Sequence, residues 1–175
     1  MRFFANKTIA TISTLVLATT LTGCGAGLNA ETRKIKQVTD GSEAVIKSES
    51  ADIRISNFLI VATGDGNAVV VGHIVNRAAE PDQIISISVA DIPAQLTGNT
   101  VVTANDPVIF EGASANAKAV FVGANPVAGK NVPVTIAFAK AGVVTVNAII
   151  RDTSDIYAGV TSGAKLVSPT PAPTK

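Results

Sequence analysis

Short runs rich in valine and isoleucine follow one another between residues 51 and 160, separated by glycine, asparagine, aspartate and proline. None of them repeats its apolar residues at the 3.6-residue period of an amphipathic helix, and several alternate apolar with polar residues. Such alternation is typical of a strand with one buried face, because successive side chains of a strand point to opposite sides. The pattern therefore predicts an all-β domain over residues 51–160.

Two hairpins are expected within this domain. The first joins residues 52–62 to residues 67–76 through Gly64-Asp65-Gly66, whose permissive backbones suit a tight turn. The second joins residues 132–138 to residues 143–151. In the second hairpin, the residues predicted to face the core are Val132, Val134, Ile136, Phe138, Val144, Val146, Ala148 and Ile150.

A further strand is predicted at residues 83–89, with Ile85, Ile87 and Val89 on one face and Ser86 and Ser88 on the other. Weaker strands are expected at residues 100–103, 108–110 and 118–122. Together these segments give about eight strands, a density typical of an antiparallel β-sandwich. The two inward faces supply an aliphatic core that needs neither a disulfide nor a metal ion.

The N-terminus has the pattern of a secretory signal peptide. Arg2 and Lys7 precede an apolar run that ends at Leu21 and is short for a bilayer-spanning helix. The next residues, Leu21-Thr22-Gly23-Cys24, resemble the lipobox of bacterial lipoproteins. This resemblance implies cleavage after residue 23 and attachment of a diacylglycerol and an N-acyl chain to Cys24, the only cysteine. Two or more acyl chains hold a protein stably on a membrane.

Two polar segments flank the predicted domain. We interpret residues 24–50 as the lipidated N-terminus and a polar tether, although the apolar piece Ala44-Val45-Ile46 could add an edge strand. Residues 161–175 form a Pro-rich tail that cannot join a sheet, and we expect this tail to be disordered.

Composition and charge exclude one class of partner. The 175-residue chain has a net charge of +1, and cleavage after residue 23 leaves 12 basic against 13 acidic residues, a mature charge of −1. It contains no tryptophan and one tyrosine, so it lacks both the basic surface and the aromatic platforms of a nucleic-acid-binding protein. The lipid alone must then supply membrane attachment.

Residues 129–151 (GKNVPVTIAFAKAGVVTVNAIIR) resemble the closing hairpin of periplasmic copper chaperones of the PCu(A)C type. The similarity extends over residues 51–151 and includes the acidic stretch 79–82 and the strand ISISV at residues 85–89. It implies an immunoglobulin- or cupredoxin-like sandwich. The lipobox, the sequence CGAG from Cys24 and the polar lead also resemble actinobacterial LpqE-like lipoproteins.

The resemblance does not extend to the copper ligands. In PCu(A)C chaperones, Cu(I) is held by paired histidines and methionines that begin just after the strand matching ISISV. Here the corresponding stretch, residues 90–96, and the chain that follows it to Pro126 contain neither histidine nor methionine. Imidazole and thioether donors select Cu(I), so no ligand can be assigned from the family.

His73 is the only histidine and a weak candidate metal ligand, because no second soft donor lies near it in the sequence. A structural histidine on the strand, on the face of Val69, Val71 and Val75, is the simpler interpretation. Asp65 and Asn67 could suggest a calcium loop, but the full loop pattern is missing and turn chemistry explains them better.

Tyr157 lies in the polar stretch 151–159 and is a candidate contact residue; the alternative is a ring packed on the sandwich. No Gly-x-Ser-x-Gly elbow is present and the sole histidine lies within a strand, so we expect no catalytic site.

These observations predict a non-enzymatic lipoprotein on the extracytoplasmic face of the cell membrane, which serves as a binding or scaffolding module for another envelope protein or a lipid. The alternative is a copper-handling protein related to the PCu(A)C chaperones but without their ligands.

Overall fold

The computed structural model of the protein describes residues 40–104 and 106–163, so the predicted signal peptide, Cys24 and residues 164–175 of the tail lie outside the described residues. The strands in this part of the chain are β1 (Ser42–Lys47), β2 (Asp52–Ala62), β3 (Ala68–Asn76), β4 (Asp82–Val89), β5 (Ile92–Pro93), β6 (Gln95–Gly98), β7 (Val101–Val102), β8 (Val108–Phe110), β9 (Ala117–Phe121), β10 (Asn131–Phe138) and β11 (Gly142–Arg151). A short 3₁₀ turn, Asp155–Tyr157, follows β11. Among the described residues, no helix has the length and apolar character needed to span a bilayer.

The strands form one hydrogen-bonded path in the order β5-β4-β10-β11-β2-β3-β8-β9-β6, with β1 added to β2 and β7 to β4. Both predicted hairpins are present: β2 pairs with β3, and β10 pairs with β11. A short parallel pairing of Ile150 and Arg151 with Ile60 and Val61 joins the two hairpins. The two ends of this strand order pack face to face and form a β-sandwich.

One aliphatic and aromatic core fills the space between the inner faces. Phe58, Phe110 and Phe121 are its largest fully buried side chains, and isoleucine and valine from seven further positions on β2, β3, β4 and β10 are equally inaccessible to solvent. The face prediction for the second hairpin is confirmed, because its inward residues are buried or half-buried and join this core. Burial of these side chains, each contributing about 1.5–3 kcal/mol, is the main stabilising contribution.

The structure refines the predicted strand count and one boundary. Eleven strands are present among the described residues, not eight, because β1, β5 and β6 add to the predicted set. The expected edge strand at residues 44–46 is β1, so the sheet begins at Ser42, inside the stretch interpreted as tether. Most pairings are antiparallel as predicted, and the β8–β9 contact is a second short parallel exception.

The face prediction for β4 is wrong at one residue. Ile85 is 57% exposed, whereas its neighbour Ile84 is 2% exposed and packs in the core. The cause is a break in register with β10, where Phe138 pairs with Ile84 and Ala137 pairs with Ser86. An extra residue in one strand reverses which side chains face the core, so Ile85 points outward.

Candidate functional site

His73 lies in the middle of β3, opposite Ser56 of β2 and Ile109 of β8, with its side chain exposed on the outer face of the sheet. The described part of the chain contains no group of three or more histidine, cysteine, aspartate or glutamate side chains placed to hold a metal ion. The described residues therefore offer no site of three such side chains that would include His73.

The Asp65 turn, which connects β2 and β3, is held by hydrogen bonds within the protein. The Asp65 carboxylate accepts from the hydroxyls of Thr63 and Ser162 and from the backbone and side-chain nitrogens of Asn67, the last two at 3.2 and 2.9 Å. The Ser162 hydroxyl, followed by that of Thr63, lowers the pKa of Asp65 well below its usual value. This confirms turn chemistry: the carboxylate closes the hairpin and ties residue 162 to it.

Tyr157 is 8% exposed, so its ring is part of the protein interior and not of a contact surface. The ring packs against Leu59 and Val61 of β2 in a second, smaller core, with Val71, Ile149 and Val160 at its border. Burial raises the pKa of the Tyr157 hydroxyl, and the negative charge of the nearby Asp40 carboxylate raises it further. The packed-ring interpretation is the one that agrees with the structure.

A small pocket of about 110 Å³ adjoins Tyr157 and is lined by Asp40, Arg151, Asp152, Ser154, Asp155, Ile156 and Tyr157. Several of its polar groups pair with one another. Nη2 of Arg151 lies 2.9 Å from Oδ2 of Asp40, and the Asp152 carboxylate accepts from the hydroxyl and backbone N–H of Ser154. The Ser154 hydroxyl is also the main cause of the lowered pKa of Asp152. These contacts link the start of the described chain to the segment after β11.

The surface that best fits a binding role is the outward side of β4, β10 and β11, which we call the uncharged face. Register and exposure place on it Ile85, Ser86, Ser88, Pro133, Thr135, Ala137, Val143, Thr145 and Asn147. The three strands contain only two charged residues, Asp82 at the start of β4 and Arg151 at the end of β11. No charged side chain therefore lies within the face.

Apolar side chains project from this face. Val143 is 66% exposed and Ile85 is 57% exposed, while Ser88, Thr135 and Thr145 form a cross-strand row of small polar groups. Proteins use charged side chains, particularly lysine, to protect exposed sheet edges from association, and this face contains none. An exposed sheet surface that is uncharged and partly apolar is typical of an interaction site.

A groove of about 240 Å³ adjoins one end of the uncharged face and is lined by Pro81, Asp82, Gln83, Val101, Ala139 and Lys140. Gln83 and Ala139 lie two residues from Ile85 and Ala137, so their side chains point to the same side of the sheet. Val101 is 42% exposed and supplies an apolar wall. Lys140 lies at the rim, with its Nζ 3.8 Å from Oε2 of Glu80.

Asp82 holds this end of the molecule together, a role that no motif in the sequence indicates. Its carboxylate is buried and accepts three backbone hydrogen bonds, from Gln83 at 2.7 Å, Lys140 at 2.9 Å and Ala141 at 2.8 Å. It thus fixes the β10–β11 turn that precedes Val143. The lack of charge across residues 131–138 and 142–150 was the available signal for the uncharged face.

The fold is similar to that of known copper-related domains. The apo PCuAC domain from PmoF1 superimposes with a TM-score of 0.53 at 19% identity, covering 63% of this chain and 98% of that domain. The copper-bound PCuAC domain from PmoF2 gives a TM-score of 0.52 at 22% identity, covering 63% of this chain and 97% of that domain. No protein-family model and no curated protein sequence matches the chain. At these identities the likeness concerns the fold alone: the described domain is a β-sandwich of the PCuAC type.

Proposed function

We propose that this protein is an exported lipoprotein, held on the extracytoplasmic face of the cell membrane by acylated Cys24, whose sandwich serves as a non-enzymatic binding module. The observation that carries the binding role is the uncharged face, from which Ile85 and Val143 project into solvent. Contiguous apolar patches exposed on a folded protein often mark interaction sites.

The N-terminal sequence supports the proposed location. The charged start, the apolar run and the lipobox-like Leu21-Thr22-Gly23-Cys24 occur in the order that export and lipidation require. The mature charge of −1 offers no electrostatic attraction to anionic lipids, so the acyl chains would provide the attachment.

Replacing the anchor residue tests this proposal. We expect Cys24→Ala and Cys24→Ser to abolish lipidation, because neither side chain has the thiol that forms the thioether. Both variants should accumulate as the unprocessed precursor and fail to incorporate a radiolabelled fatty acid, whereas the wild-type chain should enter the detergent phase as a processed, labelled protein. Ser48→Ala, a substitution beyond the lipobox, is the control and should behave as wild type.

A wild-type chain that carries no acyl group, or a Cys24→Ala variant that is still processed and extracted only by detergent, contradicts the anchor. Mass spectrometry of the N-terminal peptide distinguishes the two cases, since it reports both the cleavage site and the added mass.

Copper handling is the second candidate, favoured by the shared fold with the copper-bound PCuAC domain from PmoF2. The side chains available as Cu(I) ligands in this chain argue against copper binding of the kind seen in that domain. After cleavage of residues 1–23, which include Met1, the soft side chains that remain are Cys24 and His73, and acylation would occupy the Cys24 thiol. One exposed imidazole supplies too few ligands for tight Cu(I) binding.

A Cu(I) competition titration against a chromogenic chelator, in reducing buffer, separates the two functions. With the purified mature protein we expect no removal of Cu(I) from the chelator, and no difference between wild type and His73→Ala. Stoichiometric binding by the wild type that is lost in His73→Ala would establish the copper function instead.

A further inference from the structure

We infer that the partner of the uncharged face is a second copy of this chain, with the two faces packed against each other across a two-fold axis. This inference rests on the proposed function, because the proposed membrane anchor provides the concentration at which the contact forms. Three features of the face support it.

Electrostatics is the first feature. Two copies of a face that carried lysine or glutamate would place like charges opposite each other, and that arrangement is unfavourable. The strands of the uncharged face carry only Asp82 and Arg151, both at strand ends, and Asp82 is buried against backbone N–H groups. A basic or acidic partner would find no complementary charge within the face, whereas an identical copy meets no repulsion.

Shape is the second feature. A two-fold contact is self-complementary, so a projection and a recess on the same surface can each receive the other from the partner copy. Val143 projects at one end of the uncharged face, and the groove between Val101 and Ala139 lies at the same end. The outward row of Ser88, Thr135 and Thr145 consists of small side chains that allow two sheets to approach closely.

Size is the third feature. Strands of about eight residues, with a rise of about 3.4 Å per residue and a spacing of about 4.8 Å, give three strands a flat area of about 400 Å². Two such faces bury about 800 Å², below the roughly 1,200 Å² of stable complexes. Such a contact is weak in dilute solution and becomes populated when an anchor confines the copies to one surface.

Site-specific disulfide formation on membranes tests the inference in the full chain. Thr145→Cys places a thiol within the uncharged face, and acylated Cys24 offers no competing thiol. We expect oxidation of membranes with a thiol-specific oxidant to give a dimer that reductant reverses. Thr161→Cys is the matched control: Thr161 is also exposed, beside the Ser162 contact with Asp65 and outside the face, and it should give no dimer.

A second substitution tests the contact itself. Val143→Lys, combined with Thr145→Cys, would place a charged side chain against the apolar wall of the partner's groove and beside its Lys140, and should abolish the dimer. Val127→Lys in the same background is the control, because Val127 is 56% exposed and lies outside the face. The dimer should persist in this control.

Three results would overturn the inference: a dimer equally abundant with Thr161→Cys, a dimer that survives Val143→Lys, or a Thr145→Cys adduct whose mass identifies a different protein. Detergent-phase partitioning of the same samples tests the membrane anchor independently of the dimer.

A chain that partitions with detergent but forms no Thr145→Cys dimer supports the anchor and contradicts the dimer. A chain that remains in the aqueous phase, yet forms the dimer when concentrated, contradicts the anchor and supports the dimer.

Discussion

Asp82→Ala is expected to lower the free energy of unfolding by about 3 kcal/mol, since hydrogen bonds to a charged group contribute roughly 1.5–3 kcal/mol each and their loss is partly offset by water. The Asp82 carboxylate is 5% exposed and accepts backbone N–H groups from two separate parts of the chain. Alanine would leave the N–H groups of Lys140 and Ala141 without this acceptor. The β10–β11 turn would then lose the contact that fixes it to the start of β4.

Chemical denaturation of the wild type and two further variants checks this prediction. Asp82→Asn keeps one carbonyl oxygen but turns an amide N–H₂ toward one of the backbone donors, so its loss of stability should be intermediate. Asp91→Ala changes an exposed aspartate in the turn after β4. Its free energy of unfolding should stay within about 0.5 kcal/mol of the wild-type value. Equal stability of Asp82→Ala and Asp91→Ala would contradict the role assigned to Asp82.

The same variant links the fold to the proposed dimer. The turn held by Asp82 positions both Ala139, which lines the groove, and Val143, which projects from the uncharged face. We therefore expect Asp82→Asn, where the sandwich still folds, to weaken Thr145→Cys dimer formation together with stability. Asp91→Ala should change neither.

The hairpins could be predicted from the sequence because their signals are local. The alternation of Val134, Ile136 and Phe138 with Pro133 and Thr135 continues without interruption along β10, and the observed register with β11 follows it residue by residue. Gly64-Asp65-Gly66 likewise marks the turn between β2 and β3, where the Asp65 hydrogen bonds close the connection.

Irregular strand pairing could not be predicted from the local sequence pattern. The register shift between Ile84 and Ser86 depends on how β4 pairs with β10. Regular alternation along β4 therefore predicted that Ile85 faces the core, whereas its side chain is exposed. β5, with two residues, and β6, with four, are too short to show any period. β5 pairs with Ser88 and Val89 directly before it in the chain, whereas the strand conformation of β6 depends on β9, a partner distant in sequence.

The candidate site was predictable only in part. The sequence showed that the copper ligands of the resembled family are missing and that His73 is the only histidine, and the described residues contain no group of three or more histidine, cysteine, aspartate or glutamate side chains placed to hold a metal ion. The uncharged face depends on three strands coming side by side, with β4 paired to β10 across about 45 residues of chain. Sequence reasoning named Tyr157 as a candidate contact residue, with a packed ring as the alternative; in the structure Tyr157 is buried and its neighbour Ile156 is exposed.

Tyr157→Ala is expected to lower the free energy of unfolding by about 3 kcal/mol or more, because removal of a buried aromatic ring costs roughly 3–5 kcal/mol. The ring covers Leu59 and Val61, both fully buried on the outer side of β2, and its loss would expose the second core. Tyr157→Phe keeps the ring and removes only the hydroxyl near Asp40, so it should cost no more than about 1 kcal/mol.

Ile156→Ala provides the control for this segment, since Ile156 is 81% exposed beside the buried tyrosine. It should change stability by less than about 0.5 kcal/mol, so denaturation of the three variants should rank Tyr157→Ala far below Tyr157→Phe and Ile156→Ala. If Tyr157→Ala unfolded at the wild-type midpoint, the ring would contribute nothing to packing. Its candidacy as a contact residue would then be restored, and cross-linking of membranes from Tyr157→Ala would be the measurement that decides it.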